Sequence, residues 1–260
     1  MYKENISGRL AFISGASAGI GEAVAKMLAS NGVNLILTAR RIDRLENLKN
    51  SLEKEYKIKV KTIKIDFSKS EDIVKALNSL EDEWKNIDIL INNAGLALNK
   101  DVYSNNLLED ALQMIRVNCE GLITATRVLL PFILKSKCGY IINIASTAAD
   151  EAYSGGAIYC ATKSFVEMFG NAIRIELIDK PVKVTTIKPG LVDTEFSTVR
   201  FKGDKEKADN VYKGLNPLYA EDIADNIEYV ITRKSHVQIS SMTIMAESQG
   251  TATIAYRKNI

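Results

Sequence analysis

The chain has 260 residues, of which 46% are hydrophobic and 25% are charged, a composition typical of a globular protein with a sizeable core. Because 34 lysines and arginines and 32 acidic residues are scattered along it and leave a net charge of +2, we expect a small molecule as partner rather than nucleic acid or a membrane. No apolar run approaches the roughly 18 residues of a membrane span, so the sequence predicts a cytoplasmic protein. The three cysteines form no C-x-x-C pair and there is one histidine, so we expect no metal site.

Apolar stretches rich in β-branched residues alternate with amphipathic helical stretches, the pattern of βα units around a parallel sheet. The predicted strands are residues 10–14, 33–38, 60–65, 87–91, 140–145, 182–188 and 237–245. The predicted helices are residues 20–31, 42–56, 71–84, 107–135, 157–178 and 221–232. We therefore predict an α/β fold, a single Rossmann-type doubly wound domain over residues 1–260, with a seven-stranded, mostly parallel sheet and helices on both faces.

Two local features add detail to this prediction. Ser68, with Glu71 three residues later, predicts a capping box at the start of the third helix. Residues 191–217 interrupt the βα pattern and are rich in Lys, Asp and Gly. Because long segments of this kind in compact domains are usually lids or binding loops, we interpret residues 191–217 as a substrate loop.

The turn after the first predicted strand is rich in glycine and leads into the first helix. Gly15, Gly19 and Gly21 permit a tight turn and a close backbone approach, which leaves helix N-terminal amides available to a diphosphate. The turn also satisfies G-x-S-x-G, the nucleophile elbow of α/β-hydrolases, with Ser17 at its centre and the single histidine, His236, later in the chain. Only one strand precedes the turn and the third glycine has no role in a hydrolase, so a dinucleotide site is favoured, with a glycine-rich turn that binds no ligand as the remaining alternative.

Charged residues follow the second and third strands, where a doubly wound sheet binds its ligand. Arg40 and Arg41 come where an acidic residue would bind an adenosine ribose 2′-hydroxyl, and two guanidinium groups suit a 2′-phosphate instead. A solvated basic pair is the alternative. Asp66 and Phe67 could meet the adenine, although an Asp between a strand and a helix is also an ordinary cap.

The fourth strand ends in a run of small and amide residues. Asn93, Ala94 and Gly95 stand at its carboxyl end, where small side chains would let a cofactor approach. An Asn side chain can also bond neighbouring backbone, so a plain turn explains the same residues. We predict that these three residues contact the cofactor.

Residues suited to proton transfer follow the fifth strand. Ser146 ends that strand, and Tyr159 and Lys163 lie four residues apart within a helical pattern, on one face of the helix. The ammonium of Lys163 is expected to lower the pKa of the Tyr159 phenol toward neutrality. Ser146 would then bond the substrate oxygen and Tyr159 would exchange the proton, which makes an acid-base group without histidine. An isolated Y-x-x-x-K pair would be an ordinary helix pair, but this one does not occur alone.

Taken together, these motifs resemble those of the short-chain dehydrogenases/reductases. The resemblance extends from about residue 9 to residue 245. The residues that carry it are Gly15, Gly19, Gly21, the run Asn92-Asn93-Ala94-Gly95, Asn118, Ser146, Tyr159, Lys163, Pro189, Gly190 and Thr194. The family usually has Thr where Ser14 stands, and this substitution keeps the hydroxyl group.

The resemblance implies roles for residues that patterning alone does not explain. Asn118 would hold a water that relays protons to Lys163, which itself would bind the nicotinamide ribose. The cofactor pocket would be completed by further residues of the glycine turn and by residues after the sixth strand. These are Ser17, Ile20, Pro189, Gly190, Val192 and Thr194.

Within the family, residues 84–98 and 188–204 are similar to the NADP-dependent 3-hydroxy acid dehydrogenases. This similarity implies NADP as cofactor and serine, L-allo-threonine or 3-hydroxypropionate and malonic semialdehyde as substrates. It also implies a homotetramer in which the long fourth and fifth helices pack against a neighbouring subunit, although these helices could simply cover one face of the sheet. Two alternatives remain: a reductase of a bulkier carbonyl, such as a 3-oxoacyl thioester or a sugar, and a nucleotide sensor without turnover.

A 3-hydroxy acid carries a carboxylate that needs a fixed cation once water is excluded. Lys163 is already committed to the ribose and to Tyr159. In the substrate loop, Arg200 offers a planar fork between the apolar residues Val199 and Phe201. We therefore predict that Arg200 binds the substrate carboxylate, with a solvated loop cation as the alternative.

Overall fold

The computed structural model describes residues 3–258. Its sheet has seven strands, all parallel, in the order β3-β2-β1-β4-β5-β6-β7. The strands are β1 (Leu10–Ser14), β2 (Asn34–Ala39), β3 (Val60–Lys64), β4 (Ile89–Asn92), β5 (Gly139–Ile144), β6 (Val182–Pro189) and β7 (Ser241–Ile244). The sequence predicted each strand, although β7 is shorter than expected and the sheet is wholly rather than mostly parallel. The strand order reverses between β1 and β4, and ligands of open α/β sheets bind at such a point.

Helices cover both faces of the sheet, as predicted. They are α1 (Gly19–Ser30), α2 (Ile42–Glu55), α3 (Ser70–Asn78), α4 (Leu108–Ile115), α5 (Gly121–Ile133), α6 (Ala157–Glu176), α7 (Glu195–Arg200), α8 (Lys205–Asn210) and α9 (Ala220–Ile231). On one face α1, α2 and α9 pack into a core with side chains such as Leu28, Leu45 and Ile227. On the other face α3, α5 and α6 bury side chains such as Ile73 and Leu129. None of the helices in residues 3–258 is long and apolar enough to cross a membrane.

The long helix predicted at residues 107–135 is helical without a break from Leu108 to Ile133, but it is not α-helical throughout. It is divided into α4 and α5 by a π-helical turn at Arg116–Glu120, which contains the buried Asn118. The polar side chain of Asn118 bonds to a neighbouring loop, and a π turn of this kind is common at functional sites.

Two local predictions at other helices are corrected by the structure. The predicted helix at residues 71–84 ends at Asn78 and is followed by a separate 3₁₀ turn, Asp82–Trp84. The capping box at Ser68 is wrong, because α3 begins only at Ser70 and the Ser68 hydroxyl and amide instead donate to Asp66 Oδ1 at 2.8 and 3.0 Å. The Ser68 amide, which the box would pair with the Glu71 carboxylate, is therefore bonded to the Asp66 carboxylate instead.

The substrate loop, residues 191–217, is largely ordered into two short helices, α7 and α8. The Thr194 hydroxyl accepts a hydrogen bond from the Phe196 amide and caps α7, and the Asp204 carboxylate caps α8 in the same way. The Tyr212 hydroxyl then donates to the Val192 carbonyl at 2.7 Å, which joins the two ends of the loop. A Lys-rich segment therefore folds as a compact arm at the carboxyl end of β6.

Candidate active site

A cavity of about 320 Å³ lies at the carboxyl ends of the strands. Almost all of the predicted cofactor and substrate residues line it. These are Gly15, Ser17, Gly19, Ile20, Arg40, Arg41, Asp66, Phe67, Asn93, Ala94, Gly95, Ser146, Tyr159, Lys163, Pro189, Gly190, Val192, Thr194 and Arg200. Two predicted residues, Gly21 and Asn118, do not line the cavity but lie directly behind it.

The glycine turn brings backbone close to the cavity. Gly15 and Gly19 have φ angles of +68° and +56°, which side chains with a Cβ rarely adopt. Gly21 lies under the turn, where a Cβ would be only 2.4 Å from the Gly15 carbonyl oxygen. No side chain caps the N-terminus of α1, so its first amides are directed at the cavity without an internal acceptor. A diphosphate would satisfy them.

The structure does not support the alternative of a hydrolase nucleophile at Ser17. The Ser17 hydroxyl accepts a hydrogen bond from Arg41 at 3.3 Å, and His236 does not line the cavity. Ser17 and Arg41 together form a polar edge of the cavity beside Arg40. Arg41 also pairs with Glu195, the first residue of α7, at 2.8 Å. A hydroxyl and two guanidinium groups at one edge have the chemistry of a phosphate subsite.

The Asn93 side chain holds the glycine turn against the end of β4. Its Nδ2 donates to the carbonyl oxygens of Ser14 and Gly15 at 2.9 and 3.1 Å. The Ser14 hydroxyl accepts from the Asn93 and Ala94 amides, both at 2.9 Å, so the family's Thr at this position is replaced without loss of these bonds. Asn93 thus bonds backbone as in a plain turn, and its small neighbours Ala94 and Gly95 line the cavity.

Ser146, Tyr159 and Lys163 meet where β5 ends and α6 begins. The Tyr159 side chain is 8% exposed and shares a hydrogen bond with Ser146. Lys163 Nζ lies 5.8 Å from the centre of the Tyr159 ring and donates to the Ile144 carbonyl oxygen at 2.8 Å. The i, i+4 spacing therefore places the ammonium beside the phenol, at the floor of the cavity.

The predicted lowering of the Tyr159 pKa is wrong for this structure. Burial raises the pKa of Tyr159 above that of a free phenol, and its hydrogen bond with Ser146 only partly opposes this. Burial also lowers the pKa of Lys163 to about 8. The physical reason is that loss of water disfavours the charged form of both groups. At neutral pH, Tyr159 is therefore a neutral phenol that can donate a proton.

Asn118 lies behind the catalytic residues and joins three segments. Its Oδ1 accepts from the Leu96 amide and its Nδ2 donates to the Leu96 carbonyl, both at 2.8 Å. Nδ2 also donates to the hydroxyl of Thr162 at 3.0 Å. Asn118 is 1% exposed and makes no direct bond to Lys163. It therefore fixes the loop after β4 against α6.

Arg200 enters the cavity from the end of α7. Its Nε donates to the Asn99 carbonyl oxygen at 3.2 Å and one terminal nitrogen donates to the Tyr153 hydroxyl at 3.0 Å. Its guanidinium carbon lies 5.5 Å from the centre of the Tyr159 ring. The Arg200 guanidinium is thus held next to the Tyr159 ring inside the cavity.

Sequence reasoning missed several residues that line the cavity. The Tyr153 hydroxyl bonds Arg200, and the ring of Phe196 lies 5.9 Å from that of Tyr159. Tyr212 and Ala252 also line the cavity. Tyr153 stands in a short polar segment six residues before Tyr159, and that proximity was the available signal. Ala252 lies after the last predicted strand in a segment without any motif.

Comparison with known proteins identifies the class. The model of the short chain dehydrogenase family matches residues 9–205. An NADP-dependent 3-hydroxy acid dehydrogenase of Schizosaccharomyces pombe is 43% identical over 254 residues, which cover 97% of this chain and 98% of the relative. A serine 3-dehydrogenase of Agrobacterium fabrum is 40% identical over 92% of this chain and 94% of the relative. The closed form of a serine dehydrogenase complexed with NADP+ has a TM-score of 0.89 and 39% identity, covering 96% of this chain and all of that chain.

The fold and the composition of the cavity define a Rossmann-type oxidoreductase. The chain belongs to the short-chain dehydrogenase family, and its similarity to 3-hydroxy acid dehydrogenases extends over nearly its whole length. The family and the fold predicted from the sequence are thus confirmed.

Proposed function

We propose that this protein is a cytoplasmic, NADP-dependent oxidoreductase that interconverts a small 3-hydroxy acid and its carbonyl counterpart. Serine, L-allo-threonine and 3-hydroxypropionate, with malonic semialdehyde as a carbonyl form, are the proposed substrates. Residues 1–260 form one catalytic domain, with residues 191–217 as its substrate loop. The names of relatives about 40% identical over more than nine tenths of the chain support this proposal.

One observation carries the substrate class: a fixed cation stands beside the proton-transfer group. Arg200 is anchored by Asn99 and Tyr153 and lies over the Tyr159 ring. Its other terminal nitrogen has no hydrogen-bond partner among residues 3–258, so it has donors to offer a carboxylate.

Nearby charges favour the same class of substrate. Lys100 Nζ lies 5.8 Å from the centre of the Tyr153 ring. Burial lowers the pKa of Lys100, and the positive charges of Arg200 and Arg257 lower it further. Arg200, which lines the cavity, therefore has like charges close to it, and an anionic substrate bound at Arg200 would relieve this repulsion.

The residues present fit an NADP cofactor. The N-terminus of α1 has no side-chain cap, so its amides can bind a diphosphate. Gly15 and Gly19, with their positive φ angles, let the backbone of the glycine turn come close to it. Ser17, Arg40 and Arg41 suit the adenosine 2′-phosphate. Asp66 and Phe67 lie where the adenine would bind, and Pro189, Gly190, Val192 and Thr194 border the nicotinamide end. When bound, NADP supplies the acceptor or donor of a hydride.

The protein's own residues orient the substrate and move the proton. Ser146 bonds the substrate oxygen, and the neutral Tyr159 phenol donates its proton to that oxygen in carbonyl reduction. In alcohol oxidation the phenolate accepts the proton from the hydroxyl group. Lys163, held by the Ile144 carbonyl, orients the nicotinamide ribose, and Asn118 positions the loop beside it.

We further propose that the protein is a homotetramer. Apolar side chains of α4, α5 and α6 are exposed on one side of the molecule in residues 3–258, among them Leu108, Ile123, Met168 and Ile175. Exposed apolar side chains on neighbouring helices are typical of an interface between subunits.

The decisive experiment replaces Arg200 with Ala and measures oxidation of serine and of 2-propanol with NADP and with NAD. Loss of a charge-assisted hydrogen bond, worth about 2 kcal/mol, should lower kcat/KM for serine by about 30-fold and leave that for 2-propanol within about twofold. Lys202→Ala is the matched control, because Lys202 lies on the same loop but pairs with Asp110 outside the cavity. Equal losses on both alcohols would contradict the carboxylate role, and a wild-type preference for NAD would contradict the cofactor.

A further inference from the structure

The end of the described chain folds back over the cavity as a C-terminal hairpin, residues 249–258. It leaves β7, and Gln249 pairs with Ala255 in an antiparallel bridge. The Gly250 amide donates to the Ile254 carbonyl at 2.9 Å, which forms a tight tip. Ala252, at this tip, lines the cavity. A two-stranded hairpin has little stability of its own in water, so its position depends on what anchors it.

Gln249 anchors the base of the hairpin to the turn after β6. The side chain is 6% exposed, its Oε1 accepts from the Leu191 amide at 2.8 Å and its Nε2 donates to the Thr251 carbonyl at 3.0 Å. A Cβ at Gly190 would lie 2.2 Å from Gln249 Oε1, so only glycine allows this contact. The hairpin and the Pro189-Gly190 turn are therefore built to fit each other.

Two further anchors join the hairpin to opposite walls of the cavity. The Ala252 amide donates to Glu151 Oε2 at 2.8 Å, and Glu151 lies between Ser146 and Tyr159 in the chain. Arg257 donates to the carbonyl oxygens of Val211 and Lys213 at 2.9 and 2.6 Å, beyond the end of α8 in the substrate loop. The hairpin thus connects the substrate loop to the catalytic side of the cavity.

We propose that the C-terminal hairpin determines the size of substrate that the enzyme accepts. Ala252 forms a wall of the substrate pocket, and Gln249 and Arg257 are positioning residues that keep this wall and the substrate loop together. This inference rests on the proposed function. Because the wall is held by a few hydrogen bonds, loosening one anchor enlarges the pocket without touching Ser146, Tyr159 or Lys163.

The first test replaces Arg257 with Ala and compares 3-hydroxypropionate with 3-hydroxyhexanoate, an acid three carbons longer. The ratio of kcat/KM, short acid over long acid, should fall by about tenfold, within the range that a pocket achieves per methylene. The change should come from KM, while the Kd of NADP stays within about twofold. Arg233→Ala is the matched control, because Arg233 also donates to a backbone carbonyl, that of Tyr229, but lies outside the cavity.

The second test replaces Ala252 with Leu, which narrows the pocket. It should raise the same ratio about tenfold by excluding the longer acid.

Trypsin cleavage within residues 200–213 gives a readout without substrate: Arg257→Ala should speed this cleavage severalfold relative to Arg233→Ala. Unchanged ratios in Arg257→Ala and Ala252→Leu, with unchanged loop cleavage, would overturn the proposal. If the wild type oxidised neither acid, the proposed function would fail, and the size ratio would be measured on 2-propanol and 2-hexanol instead.

Discussion

At the residue scale, the proposed chemistry depends on two buried groups whose pKa values move apart, that of Tyr159 upward and that of Lys163 downward. Burial raises the pKa of Tyr159 and lowers that of Lys163 to about 8. Both shifts have one cause, because a charge is poorly solvated at the floor of the cavity. The pair thus favours a neutral phenol at neutral pH, which suits reduction of a carbonyl more than oxidation of an alcohol.

We expect the two directions of the reaction to have opposite pH dependence. Since the pKa of Tyr159 is raised, the phenol stays protonated through neutral pH, and reduction should be fast there and fall as the phenol ionises. Oxidation requires the phenolate and should rise toward alkaline pH. Initial rates in both directions between pH 6 and pH 10 check this, and Tyr159→Phe should lower both kcat values by about 100-fold or more. Oxidation that declines steadily with pH would contradict the assignment of Tyr159 as the base.

At the scale of elements, the π-helical turn between α4 and α5 positions the catalytic helix. The turn places Asn118 where one side chain satisfies both backbone groups of Leu96 and reaches Thr162 on α6. A regular helix would turn this side chain to another direction. The same residue thus connects the end of β4, the turn and α6, which carries Tyr159 and Lys163.

Asn118→Ala should lower the free energy of unfolding by about 1–3 kcal/mol, because the Leu96 amide and carbonyl lose their buried partner. Denaturant unfolding measures this. Asn105→Ala, at an exposed Asn in the 3₁₀ turn before α4, is the control and should change stability by less than about 0.5 kcal/mol. Equal stability of the two variants would show that water replaces the Asn118 side chain without cost.

At the scale of the whole molecule, the sheet and both helical layers form a closed core, yet one outer face stays apolar. Leu108 on α4 is 71% exposed and Met168 on α6 is 68% exposed. Apolar side chains exposed together on neighbouring helices are costly in water and are usually buried against another chain. The proposed tetramer accounts for this face.

The double variant Leu108→Glu and Met168→Glu should reduce the size of the assembly. Placing carboxylates on an apolar interface costs desolvation and repulsion between subunits, so we expect dimers or monomers in place of tetramers. Sedimentation velocity at micromolar concentration measures the mass. Tyr229→Glu, at a partly exposed position on α9 on the opposite face of the sheet, is the control. A wild-type protein that sediments as a monomer would contradict the proposal directly.

The sequence by itself determined the order of strands and helices, because burial on both faces of a parallel sheet leaves near-continuous apolar strands between amphipathic helices. It also located the glycine turn and the Tyr159-Lys163 pair, whose short spacings lie within one turn and one helix, and Ser146, which follows the fifth strand. Only the tertiary structure decided which residues far apart in the chain come into contact. Asn118 meets Leu96, Asp66 takes the donors of Ser68, and the C-terminal hairpin packs on the Pro189-Gly190 turn. Long-range hydrogen bonds leave no periodic pattern in a single sequence. The burial that raises the pKa of Tyr159, where a lowering was expected, exists only once the chain has folded.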